Sequence, residues 1–170
     1  MSASDERRGD ADLYTVALVC LGNICRSPMA HVVLEDKLAA AGLADRVRVV
    51  SAGTAGWHVG KPMDPRAAAT LTAAGYDATR HRARHIDDGW FDGSTERADL
   101  VLAMDASNHA GVRAMVTDDA QAVGRVRMFR QDGAEVPDPY YGGDEGFADV
   151  LAMIEDGAEA WTEEIRRTLD

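Results

Sequence analysis

The chain has 170 residues, with 29 acidic against 18 basic side chains and a formal net charge of −11. Its hydrophobic content of 46% suits one folded domain with one core and excludes a disordered chain. The acidic excess excludes a nucleic-acid binder, which needs a basic face. It also sets a question for any anionic ligand, whose approach a negative field slows.

Residues 1–12 (MSASDERRGDAD) are polar and charged. They lack the apolar core of a signal peptide and read as a flexible extension ahead of a single domain at 13–170. No apolar run approaches the length of a membrane span. The cysteines Cys20 and Cys25 supply neither the disulfide framework of a secreted domain nor a four-ligand metal site. The expectation is a cytoplasmic protein without metal, cofactor or membrane insertion, with export by a route that uses no signal peptide left open.

Strand and helix signals alternate from there. Tyr14 to Cys20 (YTVALVC) has the length and apolar content of a buried strand. A Gly/Asn turn follows, then a helix predicted from Pro28 to about Ala41, with Met29, Val32, Val33 and Leu38 on one face and Gly42 ending it. Val47 to Ser51 reads as a second strand. Asp64 and Pro65 are an N-cap and a first-turn proline, opening a helix that stops at Gly75. Leu100 to Met104 is a third strand, followed by a helix capped by Asp105 or Ser107 and running to about Val116. Val126 to Phe129 is a weak fourth strand. Residues 131–145 read as loop. Phe147, Val150, Leu151, Ile154, Ala158, Trp161, Ile165 and Leu169 then recur at steps of three and four, the mark of an amphipathic helix. Trp90, Phe91 and Trp161 are read as packing residues.

This alternation predicts a three-layer α/β fold of flavodoxin-like type, with a four-stranded parallel sheet and helices on both faces. Ligands of such sheets bind beyond the carboxyl ends of the strands, at a switch point. The loop after the first strand is therefore the first candidate for chemistry.

That loop reads Cys20-Leu21-Gly22-Asn23-Ile24-Cys25-Arg26-Ser27-Pro28. Gly22 and Asn23 tolerate left-handed backbone, so successive amides of residues 21–27 can turn inward as an anion nest. The next helix points its dipole and free N–H groups into the same space. Arg26 can fork onto two anion oxygens. Cys20, at the strand end, faces this positive cradle, a setting that favours a thiolate. As isolated residues, Cys20 and Cys25 would read as small buried side chains and Arg26 as a surface charge. Cys, five residues, Arg and Ser between a strand and a helix form a more specific pattern.

A second group is needed if this thiolate attacks an aryl phosphate, because the leaving phenolate has a conjugate pKa of ~10 and protonating it helps by roughly 10²–10⁴-fold. Spacing alone does not select one acid among so many. Asp138 stands out because Pro137 and Pro139 stiffen its backbone and Tyr140 and Tyr141 follow. Read alone, it would be a turn residue. Tyr140 and Tyr141 offer one aromatic wall, and Trp57, between Gly56 and His58, offers another.

The sequence resembles the low-molecular-weight protein tyrosine phosphatases, in their bacterial form. The resemblance rests on CLGNICRS (20–27), SAGTAGWHVG (51–60), DPRA (64–67), HRAR (81–84), MDASN (104–108) and DPYYG (138–142), and spans Tyr14 to Thr168. It implies hydrolysis of phosphotyrosine through a cysteinyl-phosphate, with Cys20 as nucleophile, Arg26 as phosphate clamp and Asp138 as general acid. Leu21, Gly22, Asn23, Ile24, Cys25, Arg26 and Ser27 then bind phosphate, while Trp57, Tyr140 and Tyr141 form the pocket. It further implies that Ser27 hydrogen-bonds the thiolate, that Ser51 and His81 hold the strained Asn23, and that Asp105 and Asn108 belong to a supporting network. A helix cap is an equal reading for Asp105, and a solvated basic run is the plain reading of Arg80, Arg82 and Arg84. Cys25 is either a packed residue or a trap that forms a reversible disulfide with oxidised Cys20. The implied partners are phosphotyrosine proteins, among them a bacterial tyrosine kinase, and the expected state is a monomer or weak dimer. Alternatives are a protein arginine phosphatase, from which apolar Ile24 departs; an arsenate-reductase-like enzyme, which needs cysteines after Cys25; and a non-catalytic phosphate-binding module, which lacks the Arg and Asp.

Overall fold

A computed structural model describes residues 13–140 and 142–170; the proposed extension at 1–12 and Tyr141 lie outside the described residues. The chain runs β1 (Tyr14–Cys20), α1 (Arg26–Ala40), β2 (Val47–Gly53), α2 (Pro65–Ala73), α3 (Gly89–Asp92), β3 (Leu100–Ala103), α4 (Ala106–Ala114), α5 (Ala120–Arg125), β4 (Val126–Met128) and α6 (Asp144–Leu169). The four strands pair in the order β2-β1-β3-β4, all parallel.

Residues alternate across β1. Val16, Leu18 and Cys20 pack on one face with Met29, Val33 and Leu34 of α1, Leu71 of α2, and Phe147, Ile154 and Trp161 of α6. Ala17 and Val19 pack on the other face with Trp90 and Phe91 of α3, Val112 of α4 and Ala122 of α5. This is the three-layer α/β arrangement, with both sheet faces covered as a parallel sheet requires. Among the described residues, no helix is long and apolar enough to cross a membrane.

The order of the strands decides where a ligand fits. From β1 the chain steps to β2 on one side and then to β3 on the other. The connections therefore diverge beyond the carboxyl end of β1, where Cys20 sits.

Several elements differ from expectation. α1 begins at Arg26, two residues before Pro28, so the proline occupies the third helical position and not the first. β2 extends through Gly53 because its register with β1 carries on to Cys20 opposite Gly53. Two short helices, α3 and α5, had no sequence signal long enough to register as a period.

Candidate active site

The loop between β1 and α1 is shaped from outside by its carbonyls. Cys20 O accepts from Thr54 N at 2.9 Å, Leu21 O from Ala55 N at 2.9 Å, and Ile24 O from Asp64 N at 2.9 Å. The Asn23 carbonyl accepts from His81 Nε2 at 2.7 Å. With the carbonyls drawn outward, the amides are left for the concave side; among the described residues, none of residues 21–25 donates its amide to a backbone carbonyl. Asn23 has φ 58°, the left-handed turn that a nest requires. Cys25 occupies the N-cap of α1 without a side-chain capping bond, so the free N–H groups of the first helical turn also open onto the loop.

Inside the loop, one serine orders two partners. Asn23 Nδ2 donates to Ser27 Oγ at 2.8 Å, and Cys20 Sγ lies 3.0 Å from the same oxygen. The amide occupies a lone pair of Ser27 and leaves its hydroxyl proton to the Cys20 sulfur at 3.0 Å or the Ala52 carbonyl at 3.4 Å. Asn23 Oδ1 accepts from Arg84 N at 2.8 Å. Asn23 and Ser27 are fully buried, so these bonds take the place of water.

Arg26 is buried to 2% exposure and ties three segments together. Nη1 donates to Asp105 Oδ2 at 2.7 Å and to the Val136 carbonyl at 3.0 Å, while Nη2 lies 3.6 Å from Asp138 Oδ2. Burial works against its charge, but the Cys20 sulfur, the Asp105 hydrogen bond and the Asp138 carboxylate outweigh that and hold the guanidinium protonated. The two readings of Asp105 are both realised. Oδ2 takes Arg26, and Oδ1 caps α4 by accepting from Asn108 N at 2.7 Å. Asn108 joins through that backbone N–H; its buried Oδ1 has no hydrogen-bond partner among the described residues.

Asp138 splits its carboxylate in the same way. Oδ1 accepts from Tyr140 N at 3.0 Å, leaving Oδ2 toward Arg26. The segment is anchored just upstream, where Val136 N donates to Met104 O at 2.8 Å at the end of β3. Cys20, Arg26, Asp138, Trp57 and Tyr140 converge on one cleft of about 130 Å³, with Leu21, Gly22, Ile24, Cys25 and His58 completing its lining. Trp57 is 70% exposed and Tyr140 37%, so the aromatic rim is open to solvent.

Two expectations shift. The Ser51 hydroxyl is a partner of His31 Nδ1 at 3.2 Å and not of Asn23; its place on β2 points it at α1. Arg84 is a half-exposed but partnered charge: it pairs with Glu96 at 3.2 Å and lies 4.5 Å from the centre of the Trp90 ring. That anchorage helps hold its backbone N–H against Asn23. The Cys25 thiol is buried, and burial together with the Asp64 carboxylate pushes its pKa up, so it stays protonated. His81, by contrast, behaves as a fixed donor. Burial drives its pKa down to about 4, which keeps it neutral with Nε2 protonated toward Asn23.

Sequence reasoning passed over His58, Val136 and Arg66. His58 packs its ring on Gly22, where an added Cβ would meet Cδ2 at 3.0 Å; its place beside Trp57 was the available signal. Val136 acts through a carbonyl and left no signal. Arg66 sits in the DPRA segment, and its contacts are described below. Among the described residues, no group of three or more His, Cys, Asp or Glu is arranged to hold a metal ion.

The low molecular weight phosphotyrosine protein phosphatase family matches residues 15–170 of the chain. A low molecular weight protein-tyrosine-phosphatase of Streptomyces coelicolor is 44% identical over 149 residues, covering 84% of this chain and 87% of its own. The low molecular weight protein-tyrosine phosphatase A of Mycobacterium tuberculosis is 42% identical over 163 residues, covering 91% and 94%. Among solved structures, YfkJ of Bacillus subtilis superposes with a TM-score of 0.82 at 32% identity, covering 95% of this chain and all (100%) of that one. A protein tyrosine phosphatase of Entamoeba histolytica superposes with a TM-score of 0.83 at 29% identity, covering 92% and 99%. Because the match takes in the loop after β1, the segment that carries Asp138 and the sheet, the chain belongs to the low molecular weight phosphotyrosine protein phosphatase family.

Proposed function

We propose that the protein hydrolyses phosphotyrosine in proteins through a cysteinyl-phosphate. The observation that carries this reading is the convergence of Cys20, Arg26 and Asp138 on one cleft with an aromatic rim. The Cys20 thiolate attacks phosphorus in line, forming the S–P bond as the P–O bond to the aryl group breaks. Arg26 and the loop amides stabilise the equatorial oxygens. Asp138 gives its proton to the departing phenol oxygen. In the second half, the ionised Asp138 takes a proton from water as that water attacks phosphorus, and the thiolate leaves toward the Ser27 hydroxyl.

Trp57 and Tyr140 favour an aromatic ester, and apolar Ile24 in the cleft lining does the same against a charged guanidino phosphate. Autophosphorylated tyrosine kinases and other phosphotyrosine proteins are the substrate class this implies. Cys25 is proposed as the partner that captures oxidised Cys20 as a disulfide. Its protonated state makes it a slow attacker, so recovery and not speed is the role assigned to it.

The test is turnover of phosphotyrosine, phosphoserine and phosphoarginine peptides by the wild type and by Cys20→Ser. Phosphotyrosine is expected to be hydrolysed preferentially, and Cys20→Ser to bind vanadate without turnover. Activity retained in Cys20→Ser, or a preference for phosphoarginine, overturns the reading.

A further inference from the structure

Arg66 touches both halves of the site without lining the cleft. At the first turn of α2 its Nε and Nη2 each lie 3.2 Å from the Asp64 carboxylate, one on each oxygen, and its backbone N–H donates to Oδ1 at 2.8 Å. Asp64 is itself tied to the phosphate loop, since its backbone N–H is the donor to Ile24 O at 2.9 Å. Burial would raise the Asp64 carboxyl, but the Arg66 hydrogen bonds hold it below the usual range and therefore ionised.

The other side of the guanidinium faces the acid segment. Its carbon lies 5.3 Å from the centre of the Tyr140 ring and 4.8 Å from that of Phe147 at the start of α6. Nη1 reaches toward the Gly142 carbonyl at 3.5 Å. Tyr140 is the residue whose N–H holds Asp138 Oδ1. A planar fork suits this position, because its edge can engage a carboxylate while its face lies on aromatic rings.

We propose that Arg66 is a positioning residue for Asp138: fastened through Asp64 to the phosphate loop, it seats Tyr140 and with it the carboxyl group over Cys20. The assignment rests on Asp138 being the general acid, as argued above. Arg66 then contributes little to phosphate binding and much to protonation of the leaving group. Its loss lets Asp138 drift relative to the sulfur, and small misplacements of this kind cost up to about a hundredfold in rate.

The experiment is a leaving-group series, from nitrophenyl phosphate to phenyl phosphate, on the wild type, Arg66→Ala, Arg66→Lys, Asp138→Ala and the Arg66→Ala/Asp138→Ala double variant. Vanadate inhibition is measured alongside. Arg66→Ala is expected to lose about ten- to a hundredfold in kcat/KM on phenyl phosphate, part of the roughly 10²–10⁴-fold that a placed acid supplies; kcat/KM stops at the step that breaks the P–O bond, so the water-activating role of Asp138 does not enter it. On nitrophenyl phosphate its loss stays small, and vanadate affinity is unchanged. Arg66→Lys, which keeps the charge but loses the fork, falls between. On the Asp138→Ala background, Arg66→Ala adds nothing further. Should Arg66→Ala fail to fold, Arg66→Gln carries the same comparison. A kcat/KM loss that is uniform across leaving groups, a full extra loss in the double variant, or vanadate affinity falling with kcat/KM overturns the proposal while a steep Asp138→Ala series leaves the acid in place. A flat Asp138→Ala series overturns the acid assignment itself, and the role of Arg66 with it.

Discussion

Asn23 is buried in a left-handed conformation, which costs an ordinary residue of order 1–3 kcal/mol, and three of its polar groups hold it there. Its side-chain amide ends on Ser27, its side-chain oxygen on Arg84 N and its carbonyl on His81. Ser27→Ala removes the acceptor for the Asn23 amide and the donor to Cys20 together. A hydrogen bond to a charged group is worth about 1.5–3 kcal/mol, so the step in which the thiolate leaves is expected to slow by roughly 10–100-fold. Rapid-mixing kinetics would record this as a burst followed by a slower steady state; an unchanged steady-state rate removes Ser27 from the step. His81 gives a pH signature. Unfolded, it titrates at the ordinary 6.5, and folded at about 4. Its contribution is whole above pH 6.5, where both states are neutral, and is lost as pH falls toward 4, where only the unfolded state takes up the proton readily. His81→Gln can keep a donor without titrating. Its melting temperature should fall less steeply than that of the wild type between those two pH values, and parallel curves would contradict the assignment.

Glycines at element boundaries make sharper demands than the helices and strands themselves. Gly53 ends β2 beside the phosphate loop, and a Cβ there would lie 2.6 Å from the Leu21 carbonyl, which is backbone and has no room to give. Gly53→Ala is expected to cost toward the upper end of the ~1–3 kcal/mol of overpacking and to weaken phosphate inhibition as the loop shifts. In α6 the same substitution at Gly157 meets the Phe129 ring at 2.4 Å. The helix-propensity gain of about 1 kcal/mol is smaller than the cost of displacing a fully buried ring, so Gly157→Ala destabilises. At Gly124 in α5 nothing lies within 4 Å, so Gly124→Ala stabilises by about 0.5–1 kcal/mol. Denaturant melts that ranked the two helical substitutions alike would refute the packing argument. Elements of this kind differ in how plainly the sequence declares them. β1 was readable because a strand buried on both faces is a continuous apolar run, and α6 because its 26 residues repeat one period many times. α3, with four residues, has no period to read. The start of α1 was misplaced because Pro28 suits any position of a first turn. In the site, the residues carried by the loop pattern were legible, and the resemblance pointed to Ser27, His81 and Asp105, which hydrogen-bond that loop; the supports given by Val136 and Arg84 were not. The Arg26 bond to the Val136 carbonyl spans 110 residues and uses only backbone on the Val136 side, so no side chain at position 136 encodes it. The Ser51 partner was misassigned because neighbouring His31 lies one helix away in sequence and 3.2 Å away in space.

For the whole molecule, the −11 that first argued against an anionic ligand is unevenly placed. Residues 131–170 hold twelve acids against Arg166 and Arg167, a net of −10, which leaves −1 for residues 1–130. The cradle is built almost entirely from that near-neutral part, around a buried guanidinium and inward amides. The acids of the remainder lie on the segment that carries Asp138 and on the solvent side of α6, where Glu145, Asp149, Asp156, Glu159 and Glu163 are exposed. α6 packs its apolar face on α1 and α2, so its acidic face is turned to water, where salt screens it over about 10 Å at 0.1 M. A phosphate in the proposed site is therefore held by short-range contacts, and the longer-range field acts on whatever flanks it. Phosphotyrosine peptides with Lys or Arg beside the phosphorylated residue should show a several-fold higher kcat/KM at low salt than peptides with Asp or Glu there, mainly through faster encounter. Raising the salt should bring the two series together while leaving kcat for nitrophenyl phosphate nearly constant. A preference that is indifferent to salt would mean that contacts at the rim around Trp57 and Tyr140, and not the field of the carboxyl-terminal acids, choose among flanking residues.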